Sequence, residues 1–155
     1  MLEAPAMLLL LLLLKLALIW WAPSMHDRPL FDPSALFAGR PFDLGFFALA
    51  MVMYAIHAPL QEFVVRVGMQ GALQHFITTT PGRPNWNAIV ITNVVFAANH
   101  TYIGFWFCVA AFLPGLFWGY LFARQRSWIG VSVSHVAVGL WVLFALGLHA
   151  FIGGG

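Results

Sequence analysis

The sequence predicts an all-helical protein that crosses a membrane several times. Of its 155 residues, 62% are hydrophobic and only 8% are charged, whereas a soluble domain carries about 25% charged residues. Long apolar stretches alternate with short segments rich in proline, glycine and polar residues, and a bilayer-crossing helix needs ~20 predominantly apolar residues. We therefore expect one polytopic membrane domain over residues 1–155.

The charge and cysteine content narrow the functional classes. The formal net charge is +2 and the chain contains no run of basic residues, so we predict no nucleic-acid partner. The single cysteine, Cys108, lies in an apolar segment, which excludes an internal disulfide framework and a cysteine-based zinc knuckle. The lipid bilayer is the first partner that the composition indicates.

The N-terminal stretch, residues 1–22, predicts a transmembrane helix rather than a signal peptide. Glu3 stands where a signal peptide carries basic residues, and Lys15 interrupts the apolar run. Lys15 can extend toward the lipid headgroups or find a partner inside the helix bundle. Trp20 and Trp21 at the end of this stretch fit an interfacial aromatic belt.

The second apolar stretch predicts a transmembrane span with a break. It runs from Leu44 to Phe76, which is longer than one bilayer thickness. Pro59 lacks a backbone N–H and disfavours a helical conformation in the residue before it. We therefore expect one helix from Leu44 to Ala58 and a second from Leu60 to Phe76.

Proline content and the lengths of the apolar stretches also predict the loop after the first span and the three later spans. Residues 23–42 are rich in proline and predict an ordered surface loop with a short helix around Ser34 to Ala38. The three later spans are predicted at Asn87–Tyr102, Phe105–Ala123 and Trp128–Phe151, which gives about five spans in all. Gly115 and Gly119 form a G-x-x-x-G pattern that lets a neighbouring helix approach closely.

Four ionisable residues in apolar segments predict one buried polar site. Glu62 and Arg66 are four residues apart, which places them on one helix face in the orientation that favours an ion pair. His100 and His135 lie in later spans. Because ionisable groups in lipid are costly and usually face the bundle interior or a wet cavity, we expect these four side chains to converge. The alternatives are a purely structural Glu62–Arg66 pair and a zinc site made of Glu62, His100 and His135.

These residues occur in the order of a known family's motifs. An acid-x-x-x-Arg helix is followed by F-x-x-x-H from Phe96 to His100, by a glycine-rich helix, and by S-x-S-H-x-x-x-G from Ser132 to Gly139. In this order the chain resembles the glutamic intramembrane proteases of the CAAX-protease and bacteriocin-processing family. The resemblance covers about residues 58–140.

The resemblance implies a role for each matching position. The family's first motif, E-E-x-x-x-R, begins with the glutamate that activates water, and Gln61 stands at this position. Glu62 and Arg66 match the supporting glutamate and arginine. His100 matches a histidine that helps to position water or substrate, and His135 matches an oxyanion donor. The family's chemistry is metal-free, so we predict no metal and no cofactor.

Two departures from the motifs predict a weakly active or inactive enzyme. Gln61 is an amide and cannot act as a general base. Gly139 replaces the family's second oxyanion donor, an asparagine, and the loss of one such donor costs roughly 10² to 10³ in rate. On this basis Gln61→Glu should produce peptide cleavage, and the addition of Gly139→Asn should raise the rate further.

A second interpretation is a non-enzymatic protein. A short chain that keeps the polar helical core without the leading glutamate can serve as a small subunit or scaffold of a larger membrane complex. The resemblance implies a peptide substrate for the enzyme interpretation and a bacterial inner membrane for either one. We also expect a protein partner in the membrane, because the chain keeps the helical core without the leading glutamate.

Overall fold

A computed structural model describes residues 3–77 and 83–148, in which every regular element is helical. The α-helices are α1 (Glu3–Trp21), α2 (Leu44–Glu62), α3 (Gly71–Phe76), α4 (Trp86–Ala98), α5 (Phe105–Gln125) and α6 (Trp128–Gly139). Two short 3₁₀ helices cover Pro23–Met25 and Pro33–Phe37, and two π-helical segments cover Phe63–Gln70 and Leu140–Ala145. The predicted all-helical class is confirmed.

The lengths and apolar character of the helices make this a multi-pass membrane protein. Among the described residues four helical stretches are long and apolar enough to cross a bilayer: Glu3–Trp21, Leu44–Phe76, Phe105–Gln125 and Trp128–Ala145. The predicted span Asn87–Tyr102 is instead the 13-residue helix α4, which is shorter than the ~20 residues that a spanning helix needs. The predicted end of the last span, at Phe151, lies outside the described residues.

The predicted break at Pro59 is wrong. Helix α2 continues through Pro59 to Glu62, and the helical stretch runs on to Phe76. Proline removes the hydrogen bond that its own N–H would make and crowds the carbonyl four residues back. Transmembrane helices tolerate this because the freed backbone groups find other partners in the bundle. The irregularity lies later, where the wider π-helical turn replaces the α-helix over Phe63–Gln70.

The chain divides into two compact units, one made of Met1–Ile56 with Val136–Phe151 and the other mainly of His57–His135. In the first unit Lys15 is fully buried and its Nζ donates a hydrogen bond to the carbonyl of Leu146. Lys15 therefore finds a partner inside the protein, which is one of the two outcomes anticipated for it. The Trp141 indole N–H also donates to α1, at the carbonyl of Leu8 over 3.1 Å.

The loop after α1 contains the short helix expected there. The 3₁₀ helix Pro33–Phe37 begins next to Asp32, whose Oδ1 accepts hydrogen bonds from the Ala35 N–H at 3.1 Å and from the Ser34 hydroxyl at 2.6 Å. A side-chain acceptor at this position satisfies donors that the first turn leaves unpaired. The Asp32 N–H in turn donates to the carbonyl of Ala145 at 2.9 Å, which ties the loop to the C-terminal π-helical segment.

In the second unit the glycines of α5 allow close packing, as the G-x-x-x-G pattern predicts. A Cβ atom on Gly119 would lie 2.9 Å from Cγ2 of Ile89 in α4 and 3.2 Å from Nη1 of Arg66. A Cβ atom on Gly115 would overlap the side chain of Asn93. Real Cβ atoms do not come this close to other atoms, so only glycine fits at these two positions.

Candidate active site

The centre of the site is the ion pair between Glu62, the last residue of α2, and Arg66, one turn later. Arg66 Nε donates to Glu62 Oε2 over 2.8 Å, and neither side chain has any exposed surface. The four-residue spacing thus forms the predicted ion pair. Complete burial makes each charge dependent on the other, because breaking a buried pair leaves an uncompensated charge.

The π-helical segment Phe63–Gln70 carries Arg66 and was not predicted. Its wider turn is visible at its end, where the Gly71 N–H reaches the carbonyl of Arg66, five residues back. Such segments are rare and occur frequently at functional sites. No residue pattern in this stretch distinguishes a π-helical turn from an α-helical one, so sequence reasoning had no signal for it.

Every nitrogen of the Arg66 guanidinium has a hydrogen-bond acceptor. Besides the bond from Nε to Glu62, Nη2 donates to the carbonyl of Gly115 at 3.0 Å and Nη1 donates to Oε1 of Gln70 at 3.3 Å. The guanidinium carbon also lies 5.5 Å from the centroid of the Phe96 ring. Arg66 therefore holds together the π-helical segment and α5 while it balances the charge of Glu62.

Gln70 belongs to the same network and was missed by sequence reasoning. Its side chain is fully buried, and its Nε2 donates to the carbonyl of Gly119 at 2.8 Å. The signal was available, because Gln70 follows Arg66 by four residues, just as Arg66 follows Glu62. A polar residue that extends such a series in an apolar helix is expected to share the buried face.

His135, in α6, is brought directly to Glu62. Its Nδ1 lies 2.8 Å from Glu62 Oε1, and the histidine is 4% exposed. Its ring stacks on the indole of Trp118, with centroids 4.0 Å apart and planes inclined by 23°. The Trp118 indole N–H donates to the Ser134 hydroxyl at 3.2 Å. Trp118 in α5 thus positions the imidazole, and Ser134 in α6 positions Trp118. Sequence reasoning gave neither residue this role.

His100 lies beside the ion pair rather than in it. Its Nδ1 is 2.9 Å from the carbonyl of Phe96, so the ring, which follows α4, donates to a carbonyl in the last turn of that helix. The Phe96 ring contacts both imidazoles, with centroid distances of 4.9 Å to His100 and 5.7 Å to His135. The second unit therefore brings Glu62, Arg66 and His135 into direct contact and places His100 across one aromatic ring.

The two positions that depart from the family motif have different surroundings. Gln61 is partly exposed, whereas Glu62 is fully buried, as expected for neighbours about 100° apart around a helix. Gly139, in the first unit, is packed against Tyr54 so closely that a Cβ atom would overlap the phenol oxygen. The space for a side chain at position 139 is therefore already occupied by a different hydrogen-bonding group.

The zinc alternative finds no support in the donor geometry. It requires Glu62 to offer an oxygen to the metal together with His100 and His135, but both Glu62 oxygens already accept hydrogen bonds, from Arg66 and from His135. Within residues 3–77 and 83–148 no three histidine, cysteine or acidic side chains are grouped as a metal site requires. Chemically, the cluster holds the Glu62 carboxylate against the His135 imidazole. Because an ionised carboxylate only accepts hydrogen bonds, this arrangement places a proton on the imidazole nitrogen that faces it.

Comparison with known proteins identifies a family for most of this region. The type II CAAX prenyl endopeptidase Rce1-like family matches residues 43–141, which is more than half of the chain. No curated protein and no solved structure matches the chain significantly. The matched segment includes every residue of the buried network described above.

Proposed function

Because the chain belongs to the Rce1-like family of type II CAAX prenyl endopeptidases, we propose that it is an intramembrane endopeptidase-type protein with weak or no peptidase activity. The substrate class that fits this family is a prenylated or membrane-embedded peptide. Its proposed location is a bacterial inner membrane. The proposal agrees with a buried polar cluster inside apolar helices, which is a functional-site hypothesis by default in membrane proteins.

One observation carries the proposal: both oxygens of the Glu62 carboxylate are already engaged. Oε2 accepts from Arg66 and Oε1 accepts from His135, each over 2.8 Å, and the side chain has no exposed surface. A general base must reach a water molecule within hydrogen-bond distance. At the neighbouring position, Gln61 has an amide that cannot take up a proton. In the described site, neither position 61 nor position 62 therefore supplies a carboxylate that is available to activate water.

The structural interpretation, a scaffold or small subunit of a membrane complex, is favoured by a different observation. The network of Glu62, Arg66 and Gln70 bonds to two backbone carbonyls of α5, each 49 residues away in sequence. Every one of these contacts contributes to packing whether or not a substrate binds. A protein that lost its catalytic base would retain such a network for stability alone.

The experiment that tests the proposal restores the missing carboxylate. Purified wild-type protein and Gln61→Glu are incubated with a panel of prenylated and transmembrane peptides, and cleavage is followed by mass spectrometry. We expect slow or no cleavage by the wild type and faster cleavage by Gln61→Glu. A glutamate at position 61 would lie on the partly exposed face of the helix, where its carboxylate could reach water, unlike the buried Glu62. Gln61→Asn is the matched control, because it changes the side chain without adding a carboxylate.

Two outcomes contradict the proposal. If the wild type cleaves rapidly and Glu62→Ala abolishes cleavage while the protein stays folded, Glu62 is the working base. If Gln61→Glu cleaves none of the panel, the scaffold interpretation becomes the better account of the protein. Native gels of mildly solubilised membranes then decide whether the chain migrates with partners.

A further inference from the structure

One imidazole nitrogen of His100 has its proton assigned by a backbone contact. Its Nδ1 lies 2.9 Å from the carbonyl oxygen of Phe96. A carbonyl oxygen only accepts hydrogen bonds, so Nδ1 carries a hydrogen whether the ring is neutral or charged. The second nitrogen, Nε2, therefore sets the charge of the ring. It holds a lone pair in the neutral ring and a hydrogen in the charged one.

Nε2 is available for a further hydrogen bond. Within residues 3–77 and 83–148 the His100 side chain makes no hydrogen bond besides the one from Nδ1. Nε2 is also not among the completely buried atoms that lack a partner in this part of the chain. The residue is half-buried, so its free nitrogen lies at the accessible edge of the ring.

Two aromatic side chains hold the imidazole in place. Phe107, in α5, stacks on it with ring centroids 5.8 Å apart and planes inclined by 27°. The centroid of the Phe96 ring lies 4.9 Å away. A rotation of the imidazole would break the Nδ1 hydrogen bond and disturb both ring contacts. Nε2 therefore keeps one direction.

The surroundings of His100 favour the neutral ring. The residue follows α4 and lies outside the four stretches that can span the membrane. Burial lowers the pKa of His100 below its ordinary value of 6.5, against the opposing effect of the hydrogen bond to Phe96. The titratable groups that act on it, His135 from α6 and His57 from α2, lower the pKa further. At pH 7 Nε2 therefore carries a lone pair.

This lone pair lies near the helix face that carries position 61. His57 is exposed on α2 and acts electrostatically on His100. Gln61 follows His57 by four residues, so the two side chains share one face of the helix. Position 61, where the carboxylate is missing, therefore lies on the side of α2 that is close to His100.

We infer that His100 is the general base of this site, with its Nδ1–H held by the Phe96 carbonyl and its Nε2 accepting a proton from water in place of the missing carboxylate. The inference rests on the proposed function and supplies the residue responsible for the weak activity. An imidazole whose pKa lies near or below neutral pH is suited to this task.

The hydrolysis that this geometry allows uses water as the co-reactant. Nε2 takes a proton from water as the water oxygen bonds to the carbonyl carbon of the peptide. The imidazolium then gives that proton to the amide nitrogen as the C–N bond breaks. The products are a carboxyl group and an amine, and His100 returns to its starting form.

The first test measures the proton positions and needs no turnover. The protein is labelled with ¹⁵N-histidine and reconstituted in lipid nanodiscs. The His100 signals are assigned by their loss in His100→Gln or His100→Asn, whichever folds. His75→Gln, a change at an exposed histidine of α3, is the matched control and should leave them in place.

We expect a protonated Nδ1 and an unprotonated Nε2 at pH 7, with the ring becoming charged only below its ordinary value of 6.5. A hydrogen on Nε2 at pH 7, in either tautomer or in the charged ring, overturns the inference. This spectrum comes from the wild type, so it decides even where a variant is unstable.

The second test uses Gln61→Glu to measure how close position 61 is to His100. A new carboxylate nearby favours the charged imidazole, so the protonation midpoint of His100 should rise relative to the wild type. Gln61→Asn adds no charge and should leave the midpoint unchanged. An unchanged midpoint in Gln61→Glu would show that His100 does not stand in for a carboxylate at this position.

Cleavage of the panel of prenylated and transmembrane peptides completes the test. Wild-type cleavage should fall by about 10²-fold or more in the folded His100 variant, and His75→Gln should cleave like the wild type. The wild-type rate should also fall as the pH drops through the His100 midpoint measured by NMR, because the charged ring cannot accept a proton.

Cleavage that survives the loss of His100, or a complete absence of wild-type cleavage, overturns the assignment of His100 as the base. The proposed function fails by a different result, namely rapid wild-type cleavage that depends on Glu62 as the base.

Discussion

Nη2 of Arg66 donates a hydrogen bond to the backbone carbonyl of Gly115 over 3.0 Å, between residues that are 49 positions apart in the sequence. Gln70, four residues after Arg66, makes a corresponding bond from its Nε2 to the carbonyl of Gly119, which lies one turn further along α5. The G-x-x-x-G pattern therefore has two functions. It allows the helices to approach closely, and it exposes two carbonyls as acceptors for buried polar side chains.

Gly119→Ala should destabilise the protein. The new Cβ atom would lie 2.9 Å from Cγ2 of Ile89 and 3.2 Å from Arg66 Nη1, and overpacking typically costs about 1–3 kcal/mol. Thermal unfolding in detergent should show a lower midpoint. Gly68→Ala is the matched control, because no atom lies within 4 Å of the new Cβ and alanine favours a helix by roughly 0.5–1 kcal/mol over glycine. Equal midpoints for the two variants would show that the close contact at Gly119 is not important.

Glu62→Gln should reduce stability much more strongly than an exposed acid-to-amide change. It leaves Arg66 charged and without its carboxylate in a fully buried site, an effect of about 3–5 kcal/mol. Asp27→Asn, in the exposed loop after α1, is the control and should stay within about 0.5 kcal/mol of the wild type. Thermal unfolding midpoints of both variants and the wild type, measured in detergent, test this expectation. A midpoint for Glu62→Gln that equals the wild-type value would mean that the ion pair contributes nothing to the fold.

Gly139→Asn should not add to the activity of Gln61→Glu, contrary to the expectation from the sequence. The Tyr54 hydroxyl occupies the position where the new side chain would begin, so the asparagine would be misplaced and the protein destabilised. Peptide cleavage and unfolding midpoints are measured for the single and double variants.

Shortening Tyr54 tests this explanation. Gly139→Asn should lower the unfolding midpoint less in a Tyr54→Ala background than in the wild type, each compared with its own parent. In a Tyr54→Phe background its cost should remain, because the ring carbon Cε1 would still lie 2.6 Å from the added Cβ. Full stability and added cleavage in Gln61→Glu with Gly139→Asn and an unchanged Tyr54 would refute the steric argument.

Under the scaffold interpretation the protein should co-migrate with a partner. The physical reason is that the buried network already serves helix packing, so the apolar side chains on the outside of the spans, including Trp106, Leu113 and Val133, can contact a partner's helices in place of lipid. Native gels of membranes solubilised in a mild detergent should then show a complex larger than the free chain. Migration as a single small species in every mild detergent would argue for an independent enzyme.

Much of the candidate site could be predicted because it depends on spacing within one helix. The four-residue interval between Glu62 and Arg66 forms an ion pair in the structure, and the same interval extends to Gln70. The π-helical geometry of this segment and the continuation of α2 through Pro59 could not be predicted. Both depend on which backbone groups find partners in the packed bundle, and single residues do not encode that.

The sequence by itself determined that this is a multi-pass helical membrane protein, because long apolar stretches with few charges have no other stable arrangement in lipid. It also determined which polar residues are available for a buried site. Only the tertiary structure decided that Glu62 meets His135, 73 residues away, and that Tyr54 fills the space at Gly139. Such contacts depend on how each helix is rotated and placed against its neighbours. Side-chain packing sets these quantities after the helices have formed.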